Sequence, residues 1–224
     1  MQIEMKTRTA CRVLMFANAA YLRQTFGCDF YMRFKTLADD KLQELLPKIP
    51  DLSSSIAALS YAFITAYVPF LHAFKQFDQT SEQTGKLLWV MNENMLRRFP
   101  SAIRILMGRM ATSKAMVKSF RAAQLRGEQG RLHPMDWRIE VEEPAAGGHY
   151  GRWIQCGALK VLRAIGEDGV FPYACRIDYL MANLMGIQFT RTKTLADGDD
   201  CCNNYIACRG FTEWAPEKGF TNRK

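Results

Sequence analysis

Residues 153–166 (WIQCGALKVLRAIG), 171–186 (FPYACRIDYLMANLMG) and 187–202 (IQFTRTKTLADGDDCC) form the stretch that decides the fold. The first two pieces carry helical patterns, predicted as helices over 157–165 and 173–185. The third reads as a strand over 187–195, then a Gly198-Asp-Asp turn, then a strand over 202–209. Gly198 is expected to take a positive φ in that turn. Cys156, Cys175, Asp178, Arg191 and Cys202 all lie here, more chemically capable side chains than any other part of the chain gathers.

Upstream, Trp137-Arg-Ile-Glu-Val-Glu142 alternates apolar and polar residues, the mark of a half-buried strand. Residues 143–148 are a Pro-, Ala- and Gly-rich connection, and 149–155 are a second strand candidate. Further upstream the pattern is helical. Helices are predicted over 7–26, 30–46, 56–74, 80–99 and 101–125. Gly27 is a stop for the first, and Pro47 and Pro50 end the second. Ser53 to Ser55 offer an N-cap for the third. Thr80 with Gln83 fits a capping box for the fourth.

Long helices followed by hairpin-linked strands define an α+β protein. The expected architecture is N-terminal helices packed with an antiparallel sheet of about four strands carrying two helices on one face. We read one domain over 1–224: a helical front half (1–128), an α+β part with the site (131–210) and a loose tail (211–224).

Bulk properties narrow the class. The chain has 224 residues, 48% hydrophobic and 23% charged, as expected for a globular core rather than a disordered chain. Seven cysteines, two of them adjacent at Cys201-Cys202, do not form a secreted disulfide pattern, so a reducing cytoplasm is expected. The opening segment has a basic start and a short apolar run, but Glu4, Asn18 and Tyr21 interrupt a signal-peptide reading. An amphipathic first helix fits better. Residues 56–74 lack Asp, Glu, Lys and Arg, but Ser60, Thr65, Pro69 and His72 dilute them. They read as a core helix kinked or ended near Pro69, not as a span.

The net charge of +8 is uneven, with ten Lys or Arg from Lys86 to Arg131 against Glu93 and Glu128. Such a field attracts anions, nucleic acid or acidic lipid; the plainer reading is a solvated helix face. Interleaved aromatics and nucleic-acid motifs are missing, so no nucleic-acid partner is expected. No membrane partner is expected either, while a homo-oligomer stays open. There is no Walker A loop, no G-x-G-x-x-G and no G-x-S-x-G. No cofactor is implied. Without C-x2-C or H-x3-H spacing no metal site is expected, although several Cys, Asp178, His133 and His149 are ligand types.

Cys156 is expected at a helix N-terminus, where amide N–H groups favour a thiolate; the alternative is a buried small hydrophobe. Cys175 and Asp178 share a helix face. An Asp beside apolar neighbours has its pKa raised and suits proton transfer; the alternative is a carboxylate paired with an Arg. Arg191 suits a bidentate grip on a substrate carboxylate, or alternatively a pair with Asp178.

The ordered string Cys156, Cys175-Arg-Ile-Asp178-Tyr, Arg191-Thr-Lys-Thr194-Leu-Ala and Gly198-Asp-Asp-Cys-Cys202 resembles the L-2-amino-thiazoline-4-carboxylic acid hydrolases, mainly over residues 150–206. One departure is Asn203-Asn204, where that family usually has Asp-Phe after the last cysteine. A fainter likeness runs to 4-vinyl-reductase-type ligand-binding domains, which implies binding without turnover. The first resemblance implies hydrolytic opening of a cyclic amidine or thiazoline on a small anionic substrate. It implies Cys156 and Asp178 as catalytic residues. Cys156 would be either a nucleophile or a hydrogen-bonding wall residue. It also implies Arg191, Thr192, Thr194, Cys175 and Cys202 as substrate contacts.

Overall fold

The computed structural model describes residues 2–142, 148–210 and Thr212. The expected connection at 143–148, apart from Gly148, and the expected tail over 211–224, apart from Thr212, lie outside these residues.

Helix α1 (Gln2–Phe26) buries Ile3, Leu14 and Leu22 on one side. Asn18, polar and fully buried, donates to the carbonyls of Leu14 (2.8 Å) and Met91 (2.9 Å). It thereby ties α1 to α4 (Ser81–Arg97). Gly27 takes φ +94°, a backbone conformation that ends α1 and opens α2 (Cys28–Leu45). Helix α3 (Ala58–Lys75) is buried around most of its circumference, with Tyr61, Phe70 and Phe74 among the largest buried side chains. It starts two residues later than expected. The Ser55 hydroxyl donates to Asp136 at 2.5 Å and accepts from the Ala57 amide at 3.1 Å, in a turn that precedes the helix. Pro69 lies inside α3, which continues to Lys75 rather than ending there. The Thr80–Gln83 capping box is present in both directions.

The predicted helix over 101–125 is two helices, α5 (Ser101–Ala111) and α6 (Lys114–Glu128). Ser113 accepts from the Met116 amide at 3.2 Å and starts the second. This is an N-cap signal that periodicity alone overran.

The sheet has order β1-β2-β4-β3, all antiparallel. Its strands are β1 (Arg138–Glu142), β2 (His149–Gln155), β3 (Gln188–Arg191) and β4 (Cys202–Ala207). Helices α7 (Gly157–Ala164) and α8 (Phe171–Met185) connect β2 to β3. Strand pairing sets the register: Trp153 lies opposite Cys202, and Arg191 opposite Asn204. One face therefore carries Ile139, His149, Gly151, Trp153, Phe189, Arg191, Cys202, Asn204 and Ile206 inward. The other carries Glu140, Arg152 and Asn203, with Arg152 paired to Glu140 at 2.7 Å. At the β1 edge, the Gln124 side chain of α6 accepts from the Val141 amide at 3.0 Å. At the β3 edge, the Thr212 hydroxyl accepts from the Phe189 amide at 3.0 Å.

This is the expected α+β arrangement, with a large hydrophobic cluster running from α1 through α4 to α7 and α8 and a smaller one of Tyr179, Ala182, Met185, Ile187 and Phe189 between α8 and β3. Among the described residues no helix is long and apolar enough to cross a membrane. All seven cysteines are free thiols, Cys201 and Cys202 included.

Candidate active site

Between the inward face of the sheet and helices α3 and α8 lies a cavity of about 330 Å³. Cys156, Cys175, Asp178, Arg191 and Cys202 all border it. Residues 46 positions apart in the chain thus meet at one place. Three fold features bring them together. Cys156 is the N-cap residue where β2 turns into α7. Cys175 and Asp178 lie three residues apart on α8. Arg191 and Cys202 sit on the adjoining strands β3 and β4.

Arg191 is the centre of the arrangement. Its guanidinium donates to Asp178 Oδ2 at 2.9 Å and to the Cys175 carbonyl at 2.6 Å. It also lies against the Tyr179 and Phe189 rings, at 5.3 and 5.4 Å from their centroids. Its side chain is only 2% exposed, whereas that of Asp178 is 48% exposed, because the carboxylate borders the cavity. Of the two alternatives for Arg191, the structure contains the pair with Asp178. Withdrawal from bulk water raises the Asp178 carboxyl above its ordinary value, while the Arg191 charge and hydrogen bond oppose that shift.

The cysteines are walls of the same space. Burial pushes the Cys156 thiol up to about 12, although the amides of Leu159 and Ala158 pull the other way. The helix N-terminus is where expected, yet desolvation outweighs it, so the resting thiol is neutral. Burial raises Cys175 and Cys202 as well. Cys202 Sγ accepts from the Leu195 amide at 3.3 Å.

The two threonines are elsewhere. Strand β3 stops at Arg191, because the Asn203 side chain takes the amides of Thr192 (3.0 Å) and Lys193 (2.6 Å). Thr192 is exposed and hydrogen-bonded to the same Asn203 at 2.8 Å. Thr194 is fully buried and caps the short turn Leu195–Asp197, donating to Asp197 at 2.9 Å. Neither borders the cavity. Gly198 has φ +90°, as its turn requires.

Among the cavity residues outside the predicted set are Tyr67, His149 and Asn204. Tyr67 of α3 borders it with its hydroxyl bonded to Asn92 at 2.8 Å. His149, weighed only as a metal ligand, lies against Phe120 at 5.9 Å between ring centroids. Asn204 borders the cavity, and its Oδ1 is buried with no hydrogen-bond partner among the described residues. Period-two alternation with Cys202 and Ile206 was the signal that placed Asn204 inward. Among the described residues no cluster of three or more His, Cys, Asp or Glu is arranged to hold a metal ion.

A mostly apolar cavity with a few convergent polar groups, among them a carboxylate held by a buried arginine, has the make-up of a small-molecule pocket. Residues 62–205 match the family model of L-2-amino-thiazoline-4-carboxylic acid hydrolase, and the chain belongs to that family. The matched segment runs from α3 to β4 and so includes the named cavity residues of both layers. No curated protein matches the chain.

Proposed function

We propose that the protein is a small-molecule hydrolase that opens a cyclic amidine or thiazoline, such as L-2-amino-thiazoline-4-carboxylate, with water. The observation that carries this reading is the Asp178 carboxylate, oriented by Arg191 and facing the cavity. Asp178 acts as general base and takes a proton from water as the oxygen attacks the carbon between ring nitrogen and sulfur. The ring C–N or C–S bond then breaks, and the same proton passes to the leaving atom. The product is the substrate plus one water, a carbamoyl-cysteine. Arg191 is a positioning residue that keeps Asp178 aimed. Cys156, Cys175 and Cys202 form walls, and Asn204 Oδ1 accepts an N–H of the ligand. Localisation in the cytoplasm and a single domain over the chain belong to the same proposal.

The test is mass-spectrometric turnover of L-2-amino-thiazoline-4-carboxylate and a panel of related thiazolines and cyclic amidines, beside Asp178→Asn. The expected result is a product one water heavier with the wild type and little or none with the variant. A fully active variant removes Asp178 from the mechanism. The three neutral thiols and the engaged Arg191 favour one second reading, a ligand-binding module without turnover. Ligand-induced stabilisation with no product across the panel would select it.

A further inference from the structure

Helix α5 is apolar nearly all round, yet only one side of it is packed. Gly108 seats that side on α8: a Cβ there would come within 2.5 Å of the Met185 carbonyl oxygen. On the opposite side Ile103 (45%), Leu106 (56%) and Met110 (61%) are exposed at helical spacing. A helix apolar on all sides is normally covered on all sides, and an exposed apolar patch of this kind marks an interaction surface.

The charge around the patch says what covers it. From Ser101 to Gly127 the chain carries Arg104, Arg109, Lys114, Lys118, Arg121 and Arg126, and no Asp or Glu. On α6, Lys114, Lys118, Arg121 and Leu125 recur at spacings of four, three and four, all exposed. A second copy docked through the same face in two-fold symmetry would set these cations against their equivalents. An anionic surface complements them.

We propose that the α5–α6 hairpin is a peripheral docking face for anionic lipid, with Ile103, Leu106 and Met110 entering the interface and the α6 cations meeting the headgroups. Such contact needs no spanning helix; it narrows the expectation of no membrane partner to no membrane span. The cavity is close by, since Ala111 at the end of α5 and Phe120 of α6 border it.

The test is co-sedimentation of the full chain with vesicles of phosphatidylcholine alone, or with about one-third phosphatidylglycerol. Binding is expected to rise about tenfold or more with the anionic lipid and to weaken with salt. Leu106→Ser with Met110→Ser should abolish it at unchanged net charge, and Lys114→Glu with Lys118→Glu should reduce it about thirtyfold or more. All four residues are exposed, so circular dichroism should be unchanged in both variants. Lack of binding, or binding indifferent to lipid charge, overturns the proposal. So does a dimer in light scattering that the Leu106/Met110 variant dissociates; the face would then be a subunit contact. The cavity chemistry is not used here, so failure of either idea leaves the other standing.

Discussion

Two openings differ in a way that separates a site from a space. The cavity under the sheet is about 330 Å³, whereas a groove along α1 and α2 is about 820 Å³. The larger one has more charge on its rim: Arg8, Arg12, Arg23, Lys35 and Arg98 against Asp39. Two of these cations are engaged locally. Arg23 lies over Tyr31 at 4.2 Å, and Arg98 donates to the Ala17 carbonyl at 3.0 Å. In the smaller cavity a buried guanidinium and a carboxylate converge with three thiols and an amide. Helices α1 and α2 precede the family-matched segment, and the cavity's named residues lie inside it. Convergence of buried polar groups, not volume, distinguishes a reaction site.

The largest effect should come from Asp178→Asn. Removing a general base costs about 10²- to 10⁴-fold in turnover, read as the yield of the one-water-heavier product. Turnover in the wild type should rise with pH, because a base acts ionised. Desolvation raises the Asp178 pKa, so the acid limb should lie above the ordinary carboxylate range. Arg191→Met removes the opposing influence, so the limb should move to still higher pH. It also leaves Asp178 without its partner. A fully buried pair would lose about 3–5 kcal/mol on such a break. Since Asp178 is 48% exposed onto the cavity, about 2 kcal/mol is expected in urea unfolding. An Arg191→Met protein with unchanged stability and pH profile would reduce the arginine to a bystander.

Legibility from sequence followed how local each cause was. The four strands and α8 could be read because alternation and helical spacing are local signals. Cys156, Cys175, Asp178, Arg191 and Cys202 come together at one cavity because they sit on short elements joined in sequence. Thr192 and Thr194 lie away from the cavity because a side chain eleven residues from Thr192, Asn203, takes the amides that would have extended β3. The break between α5 and α6 was readable in Ser113 but was outweighed by continuing apolar periodicity. Tyr67 could not be assigned to the cavity at all, since no local pattern says which side of α3 meets the sheet.

Asn204 sharpens the contrast between the two openings, because a buried acceptor without a partner costs stability unless a ligand uses it. Asn204→Leu should therefore stabilise the free protein by about 1 kcal/mol in thermal or urea unfolding. It should also weaken substrate binding by about tenfold, seen as a raised KM. Stabilisation without any loss of affinity would mean that the amide faces the cavity but no ligand reaches it. Cys156→Ala should lower turnover by less than about tenfold, because a thiol held near 12 contributes as a wall and not as an anion. A loss as large as that of Asp178→Asn would restore the nucleophile.

The smallest effect is the one that would break the comparison most directly. Arg12→Gln combined with Lys35→Gln removes two charges from the groove and touches nothing in the cavity. Both side chains are exposed, and neither residue borders the 330 Å³ space. Surface changes of this kind alter stability by about 0.5 kcal/mol or less, so turnover should stay within about twofold of wild type. Steering of an anionic substrate by net positive charge would lower kcat/KM slightly and leave kcat alone, and added salt would erase even that. If kcat itself fell by tenfold or more at high salt, the field could not be responsible. The groove would then be coupled to the cavity through α3, whose Pro69 and Phe70 floor the one opening and whose Ile64 and Tyr67 border the other.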